Sequence, residues 1–450
     1  MEFRDLINVV PSQFNFLHIS ICFLVAFALT LHVISKFNPV YLVDFSCYLP
    51  SDTLRVSLAK FVQHMERCGE FNAECIDFQK RVLEKSGIGD ESYMPPALHQ
   101  IPADSSAESA RLEVEEVLFT IVQDLFYKTD INPESVDIVV SNCSLYCPTP
   151  SIAAMVINKF KLRSDVKSFS LSGMGCSAGL LSISLVKELL KVHKNSLALV
   201  LSMEAVTPNG YRGENKSMLV TNTIFRMGGA AILLSNKTED MERSRYRLNH
   251  LVRTHLGSDD EAYHSVYQMA DNQGFEGVSL SKSLLKVAGK ALRIHLAELG
   301  PLVLPYTEQL SYLWSMFCQH VKIKRREEML VPNLKKAFDH FCIHAGGRAI
   351  IDGVERNLKL TKEDVEASRM TLHRFGNTSS SSIWYELLYL ETKGRIKNGD
   401  TIWQIAFGSG FKCNSAVWKS IAEIRHGTRN AWSDSIHKYP IQTQTCNKFN

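Results

Sequence analysis

The apolar positions of this chain keep three different rhythms. In the first, residues 16–34 (FLHISICFLVAFALTLHVI) run for nineteen positions without Asp, Glu, Lys or Arg, a length that crosses a hydrocarbon core as one helix. His18 and His32 sit near its ends, where polarity is tolerated. The segment before it carries Glu2, Arg4 and Asp5 rather than a positive n-region, and no small-x-small cleavage site follows. The pattern therefore predicts an uncleaved N-terminal transmembrane helix in preference to a cleaved signal peptide. Arg4 and Lys36 are too few charges to set its orientation.

The second rhythm covers 39–127. The apolar, aromatic stretch 39–50 is expected to lie on the membrane surface, 54–85 reads as helical, and 86–106, rich in Gly, Pro and Ser, reads as an irregular loop. A helix is predicted over 107–127, with Glu113, Glu115 and Glu116 on its outer side. From there on, short apolar runs alternate with helical stretches. Residues 136–141 (VDIVVS), 197–202 (LALVLS) and 230–234 (AAILL) read as strands, as do 338–344 and 401–407. Their apolar runs are mostly continuous, which suits a sheet covered on both faces. Helices are predicted over 178–192, 283–299 and 380–393. The result is α/β organisation in two comparable halves.

Composition narrows the function. With 45% hydrophobic and 22% charged residues over 450 positions, the chain can build a full core. A net charge of +3 implies no nucleic acid, and the basic cluster Lys322–Arg326 is met at once by Glu327 and Glu328. Eleven cysteines, an odd number spread along the chain, argue for a reducing compartment rather than a disulfide framework. Cys143 and Cys147 are the closest pair and no second pair with zinc spacing joins them, so no metal is expected.

The candidate chemistry centres on Cys176. Residues 168–172 lead into Gly173-Met174-Gly175-Cys176-Ser177-Ala178-Gly179, and the helix that follows is apolar almost all round up to Lys187, so it should be buried. Cys176 thus falls at a strand-to-helix turn, where the helix dipole and free N–H groups favour an anion. A cysteine so placed can titrate at roughly 3.5–7.5, so a reactive thiolate is expected. The flanking glycines allow a sharp turn and close approach of a substrate carbonyl. The plainer alternative, a small buried cysteine packed between glycines, is adopted for the other ten.

A cysteine nucleophile needs a base or a hydrogen-bond donor. His344 ends the strand 338–344 and precedes Ala345-Gly346-Gly347, while Asn377 precedes the helix at 380. Catalytic groups of α/β sheets collect at the C-terminal ends of strands, and Cys176, His344 and Asn377 are all expected there, in one pocket. By strand alternation His340, Cys342 and His344 share a face. His340 is read as a structural histidine behind the site, since an HxxxH metal pair needs a helix and the nearby glycines oppose one.

These residues make the chain resemble the plant 3-ketoacyl-CoA synthases, the condensing enzymes of very-long-chain fatty acid elongation. The matching stretches are VYLVDFSCYLP (40–50), NCSLYCPTPS (142–151), SLSGMGCSAG (170–179), FRMGGAAILLSN (225–236), GPLVLPYTEQ (300–309), HFCIHAGGRAIIDG (340–353), RFGNTSSSSIWYEL (374–387) and GSGFKCNSAVW (408–418). A looser similarity reaches chalcone synthase-like polyketide synthases and bacterial ketoacyl-carrier-protein synthase III. The resemblance implies the α/β thiolase-like fold, two similar halves in five αβαβα layers, and a homodimer. It divides the chain into an anchor (1–39), a membrane-proximal segment (40–106), a first half with the nucleophile (107–282), a second half with His and Asn (283–425) and a tail (426–450).

The resemblance also assigns roles. Cys176 would take the acyl group from a long-chain acyl-CoA. His344 and Asn377 would hydrogen-bond the thioester oxygen of malonyl-CoA as it loses carbon dioxide, and the carbanion would attack the acyl group on Cys176. The product would be a 3-oxoacyl-CoA two carbons longer. The Cys176 N–H, with one from the turn Gly408, Ser409, Gly410, would hold the acyl oxygen. Phe225 matches a pocket phenylalanine, and His255, His373 and His250 are read as structural. No cofactor is implied beyond the substrates malonyl-CoA and acyl-CoA. The implied partners are the membrane and the other elongase enzymes (ketoacyl-CoA reductase, dehydratase and enoyl-CoA reductase). The implied location is the endoplasmic reticulum membrane with the catalytic domain facing the cytosol. This chain departs from the family in showing one span where many members have two, in Cys147 where Asn is usual, and in Thr223 where Cys is frequent.

Three rival functions remain open to the sequence. A soluble-type polyketide synthase with other CoA starters is opposed by the anchor. A non-catalytic supporting subunit of an elongase complex is opposed by the intact Cys-His-Asn set. A cysteine hydrolase is opposed by the strand pattern.

Overall fold

The structure is a computed structural model that describes residues 20–27, 39–311, 314, 333–424 and 429–441. Contacts divide it into two units, Met1–Val40 and Tyr41–Asn450. In the first, residues 20–27 form a helix (α1) whose Phe23, Leu24 and Phe27 are exposed. Among the described residues no helix is long and apolar enough to cross a membrane. Most of the expected span 16–34 lies outside the described residues.

The second unit begins with β1 (Tyr41–Cys47), β2 (Arg55–Val56), α2 (Leu58–Cys68), α3 (Ala73–Ser86), β3 (Ser92–Tyr93) and α4 (Ala107–Thr129). It continues through β4 (Ile138–Asn142), α5 (Ile152–Phe160), β5 (Lys167–Leu171), α6 (Ala178–Val192), β6 (Leu197–Met203), α7 (Lys216–Ile224) and β7 (Gly229–Ser235). Next come β8 (Tyr246–His255), α8 (Asp260–Tyr263), β9 (Val266–Ala270), β10 (Glu276–Leu280), α9 (Leu284–Val303) and a helix over 306–311 (α10). The last elements are β11 (His340–Ile343), α11 (Arg348–Leu358), α12 (Glu366–Phe375), α13 (Ser382–Thr392), β12 (Thr401–Gly408) and β13 (Lys412–Ser420).

A mixed sheet of nine strands, in the order β11-β12-β13-β8-β1-β7-β6-β4-β5, carries the unit. It falls into two parts, β5-β4-β6-β7-β1 and β8-β13-β12-β11. They join through a short pairing of Tyr41 with Arg247 and Leu42 with Tyr246. Helix α6 touches β4 and β6 of one part and β13 of the other, and α13 touches β11 and β12 as well as β1 and β7. Both helices are therefore covered by strands from two sides, which is why all residues from Ser382 to Glu391 are buried. Helices α4 and α5 pack against β7 and β4, and α9 packs against β8 and β13.

Three expectations are corrected. The stretch 41–47, expected at the membrane surface, is the interior strand β1, with every residue buried and an antiparallel pairing to β7. A continuous apolar run fits a strand covered on both faces as well as it fits a membrane. Its Asp44 is matched there by Lys128 at 3.0 Å and Arg245 at 2.9 Å. The helical region 54–85 is two helices, because Gly69 ends α2 at φ 68° and the Asn72 side chain caps α3 by accepting from Cys75 N at 2.8 Å. Glu113 does not face outward. It is 2% exposed, and its carboxylate accepts the N–H groups of Val206 (2.9 Å) and Thr207 (2.8 Å). Burial pushes that carboxyl up to about 7.

Candidate active site

The edge strand β5 ends at Leu171, and a tight turn over Gly175–Ser177 starts α6. Gly175 has φ 61°, and a Cβ there would stand 2.7 Å from the backbone N of Ser409. Gly408 is equally confined, since its Cβ would meet Ser177 Oγ at 2.3 Å. The nucleophile turn and the turn Gly408–Gly410 therefore press together backbone to backbone, with Ser409 Oγ donating to Gly173 O at 3.3 Å. Only glycine permits this contact.

His344 follows β11 directly and is 3% exposed. Its Nδ1 meets Ser382 Oγ, at the start of α13, at 2.6 Å. With that hydroxyl donating, the ring proton resides on Nε2, the nitrogen that a Cβ at Gly346 would approach to 2.9 Å. Burial pulls the imidazole down to about 3, so the ring is neutral. Asn377 is not at a strand end as expected. It follows α12 and is pinned by a bridge to Phe225, with Asn377 N donating to Ile224 O (3.1 Å) and Arg226 N to Asn377 O (3.0 Å). Its Oδ1 accepts Ser379 N at 2.8 Å and its Nδ2 donates to Gly346 O at 3.2 Å.

Cys176, His344 and Asn377 line one cavity of about 420 Å³, together with Ser409 and the apolar Phe225 and Leu280. The expected thiolate is corrected. Burial pushes the Cys176 thiol up to about 12, although the hydroxyl of Ser379 and the amide of Asn377 pull the other way. Desolvation thus outweighs these hydrogen bonds. The structural histidines lie elsewhere. His340 Nε2 pairs with Asp400 Oδ2 at 2.8 Å at the start of β11. His373 packs on Gly89 and Tyr439. His255 accepts from Gly257 N at 2.9 Å and flanks Gly410.

The sequence reading missed three residues. Ser382 orients His344. Ser379 lies 3.4 Å from Cys176 Sγ, and Glu204, just past the end of β6, reaches Ser379 Oγ at 3.2 Å. An acid closing the apolar run LALVLSM was the one available signal. The serines of the run 379–382 look alike in sequence.

A thiol faced by two uncharged donors suits acyl transfer followed by carbanion chemistry, and the chain architecture is that of the thiolase-like condensing enzymes. The 1,3,6,8-tetrahydroxynaphthalene synthase of Streptomyces coelicolor, a bacterial type III polyketide synthase, matches with a TM-score of 0.64 at 16% identity, over 85% of this chain and 99% of that one. The type III polyketide synthase domain of Steely1 from Dictyostelium matches at 0.63 and 19%, over 86% and 100%. In sequence, the family described as FAE1/Type III polyketide synthase-like protein matches residues 32–321, and the C-terminal region of 3-oxoacyl-[acyl-carrier-protein] synthase III matches 334–420. The 3-ketoacyl-CoA synthase 7 of Arabidopsis thaliana is 62% identical over 402 residues, 89% of this chain and 87% of the relative. The 3-ketoacyl-CoA synthase 5 of the same plant is 52% identical over 441 residues, 97% and 89%. The chain belongs to the 3-ketoacyl-CoA synthases of the FAE1/type III polyketide synthase-like family. It is an acyltransferase, a condensing enzyme of very-long-chain fatty acid elongation.

Proposed function

We propose that Cys176 carries the acyl chain of a long-chain acyl-CoA and that His344 and Asn377 drive the decarboxylation of malonyl-CoA beside it. The observation that carries this reading is the convergence of the three side chains on one cavity with an apolar wall. Cys176 sulfur attacks the acyl carbonyl and CoA leaves. Malonyl-CoA enters, and its thioester oxygen accepts hydrogen bonds from His344 Nε2 and Asn377 Nδ2 as carbon dioxide departs and enolate charge develops. The carbanion attacks the acyl-Cys176 carbonyl, whose oxygen is held by N–H groups of Cys176 and the turn Gly408–Gly410. The bond to sulfur breaks and a 3-oxoacyl-CoA two carbons longer is released. The neutrality of His344 supports the assignment, because an imidazolium would quench the carbanion. Phe225 and its apolar neighbours hold the acyl chain. No cofactor is needed, since the reaction exchanges a thioester and loses carbon dioxide.

The uncharged run 16–34 anchors the chain in the endoplasmic reticulum membrane, with the catalytic unit facing the cytosol where both CoA substrates are found. The two sheet parts about α6 and α13 support a five-layer αβαβα reading in two similar halves. The exposed edge strand β5 supports a homodimer, because an unpaired edge invites pairing with a second copy. The 3-oxoacyl product requires a reductase, a dehydratase and an enoyl reductase to complete elongation.

The test is expression in microsomes of a heterologous host, supplied with labelled malonyl-CoA and acyl-CoAs of graded length, beside Cys176→Ala. Labelled 3-oxoacyl product from the native chain alone is expected. Equal product from both would remove Cys176 from the mechanism.

A further inference from the structure

Glu204 is a buried carboxylate that the condensation chemistry leaves unused. It is 5% exposed. Its Oε1 accepts the N–H groups of Ser144 and Leu145, both at 2.8 Å, and the Cys143 thiol at 3.3 Å. Its Oε2 receives a single group, the Ser379 hydroxyl at 3.2 Å. That same hydroxyl stands 3.4 Å from Cys176 Sγ. Ser379 holds a left-handed backbone, φ 55°, a conformation that costs a serine on the order of 1 kcal/mol and that aims its side chain between the thiol and the carboxylate. Its backbone N–H meanwhile secures Asn377 Oδ1.

One hydroxyl proton serves one acceptor at a time. It points to Glu204 while the Cys176 thiol donates to Ser379 Oγ, and to sulfur once the thiolate forms. His344 Nδ1 meets Ser382 Oγ at 2.6 Å, and with that hydroxyl donating, Nε2 is the protonated nitrogen and serves malonyl-CoA, whereas Ser379 is the hydroxyl in contact with the sulfur. Burial raises Glu204 above the ordinary carboxylate range, which makes it a better acceptor for a thiol proton than an exposed acid.

We propose that Ser379 and Glu204 form a proton relay that takes the Cys176 proton during acyl loading, leaving His344 and Asn377 to the malonyl half-reaction. This rests on Cys176 being the residue acylated. In the step, the S–H bond breaks and its proton passes to Ser379 Oγ, while the serine proton passes to Glu204 Oε2. The sulfur–carbon bond to the acyl carbonyl forms and the bond to CoA breaks. The CoA thiolate recovers the proton from Glu204 through Ser379, so no net proton is gained or lost. Ser379 touches the reacting sulfur and is a catalytic residue; Glu204 acts through it as a positioning and proton-holding residue.

The test compares the whole 450-residue chain, expressed in microsomes, with Glu204→Gln and Ser379→Ala, the latter keeping the N–H that holds Asn377. Two rates are measured. One is the gain of acyl mass on Cys176 from a saturated long-chain acyl-CoA. The other is carbon dioxide release from malonyl-CoA in a single turnover of enzyme acylated beforehand to completion. Loading slower by about 10²-fold in each variant is expected, because a positioned acid–base group supplies 10²–10⁴, with carbon dioxide release unchanged. The double variant should be no slower than either single one. Loading at the native rate in both variants overturns the relay. A parallel fall in both rates also overturns it, since the pair would then only hold the site together. If the native chain gains no acyl mass on Cys176, the nucleophile assignment itself fails and the relay with it.

Discussion

The two parts of the sheet position the groups proposed for catalysis by different means. The β5 side presents Cys176 through backbone geometry: a glycine turn at Gly175 pressed on the turn at Ser409, next to an edge strand with exposed side chains. The β11 side presents His344 and Asn377 through side-chain bonds in a buried setting, with Ser382 on the ring and Ser379 N–H on the amide. The difference suits the proposed tasks. A nucleophile must be reached by an acyl-CoA carbonyl, so the turn that carries it is trimmed to backbone. The two donors must stay neutral and fixed while charge develops, so theirs are desolvated and tied. Carboxylates also stand on the nucleophile's side, Glu204 by Ser379 and Glu113 under the segment after β6.

Breaking the β11 side should have the largest effect. His344→Ala is expected to slow carbon dioxide release from malonyl-CoA by about 10²–10³-fold, the usual cost of one oxyanion donor. Acyl loading on Cys176 should persist, and mass measurement of the acyl-enzyme beside the release assay checks the split. Loss of loading as well would abolish the division of labour.

Glu113 sharpens the comparison through pH. Its carboxyl stands at about 7 in the folded chain against an ordinary 4.5. Between those values the folded state binds the extra proton, so stability is greatest below the ordinary value and falls as pH rises through about 7. The fall amounts to about 3 kcal/mol. Glu113→Gln should flatten the decline of Tm with pH across that window.

The smallest effects come from two glycines. Gly175→Ala forces a Cβ onto backbone at a positive φ and should cost about 1–3 kcal/mol, visible as a lowered Tm. Gly346→Ala meets the His344 ring first, at 2.9 Å, so it should displace the imidazole and reduce carbon dioxide release while Tm changes less. Equal losses of Tm would erase the contrast between a backbone-built and a side-chain-built site.

Much of this was legible in the chain. The continuous runs at 197–202 and 230–234 became β6 and β7, and the apolar helix 178–192 became α6, because full burial on both faces leaves a plain compositional mark. The glycine-flanked Cys176 and the His344 beside Gly346 were readable for a related reason, since close backbone approach excludes every other residue. Where two environments favour the same composition the reading failed. Residues 41–47 look alike at a lipid surface and in a sheet interior, and Glu113 looks like any helix acid until the N–H groups of Val206 and Thr207 arrive from elsewhere in the chain.

The sequence by itself determined the α/β alternation and the family, and it singled out the three residues proposed for the chemistry, because these rest on local patterns and short motifs. Only the tertiary structure decided protonation and partnership. The Cys176 thiol is raised to about 12 and His344 lowered to about 3 by burial, a property of neighbours distant in sequence. Ser379 is singled out among adjacent serines by a left-handed backbone and by meeting a carboxylate 175 positions away. Desolvation and convergence act through space, and a linear pattern records them only where they also restrict which residue fits.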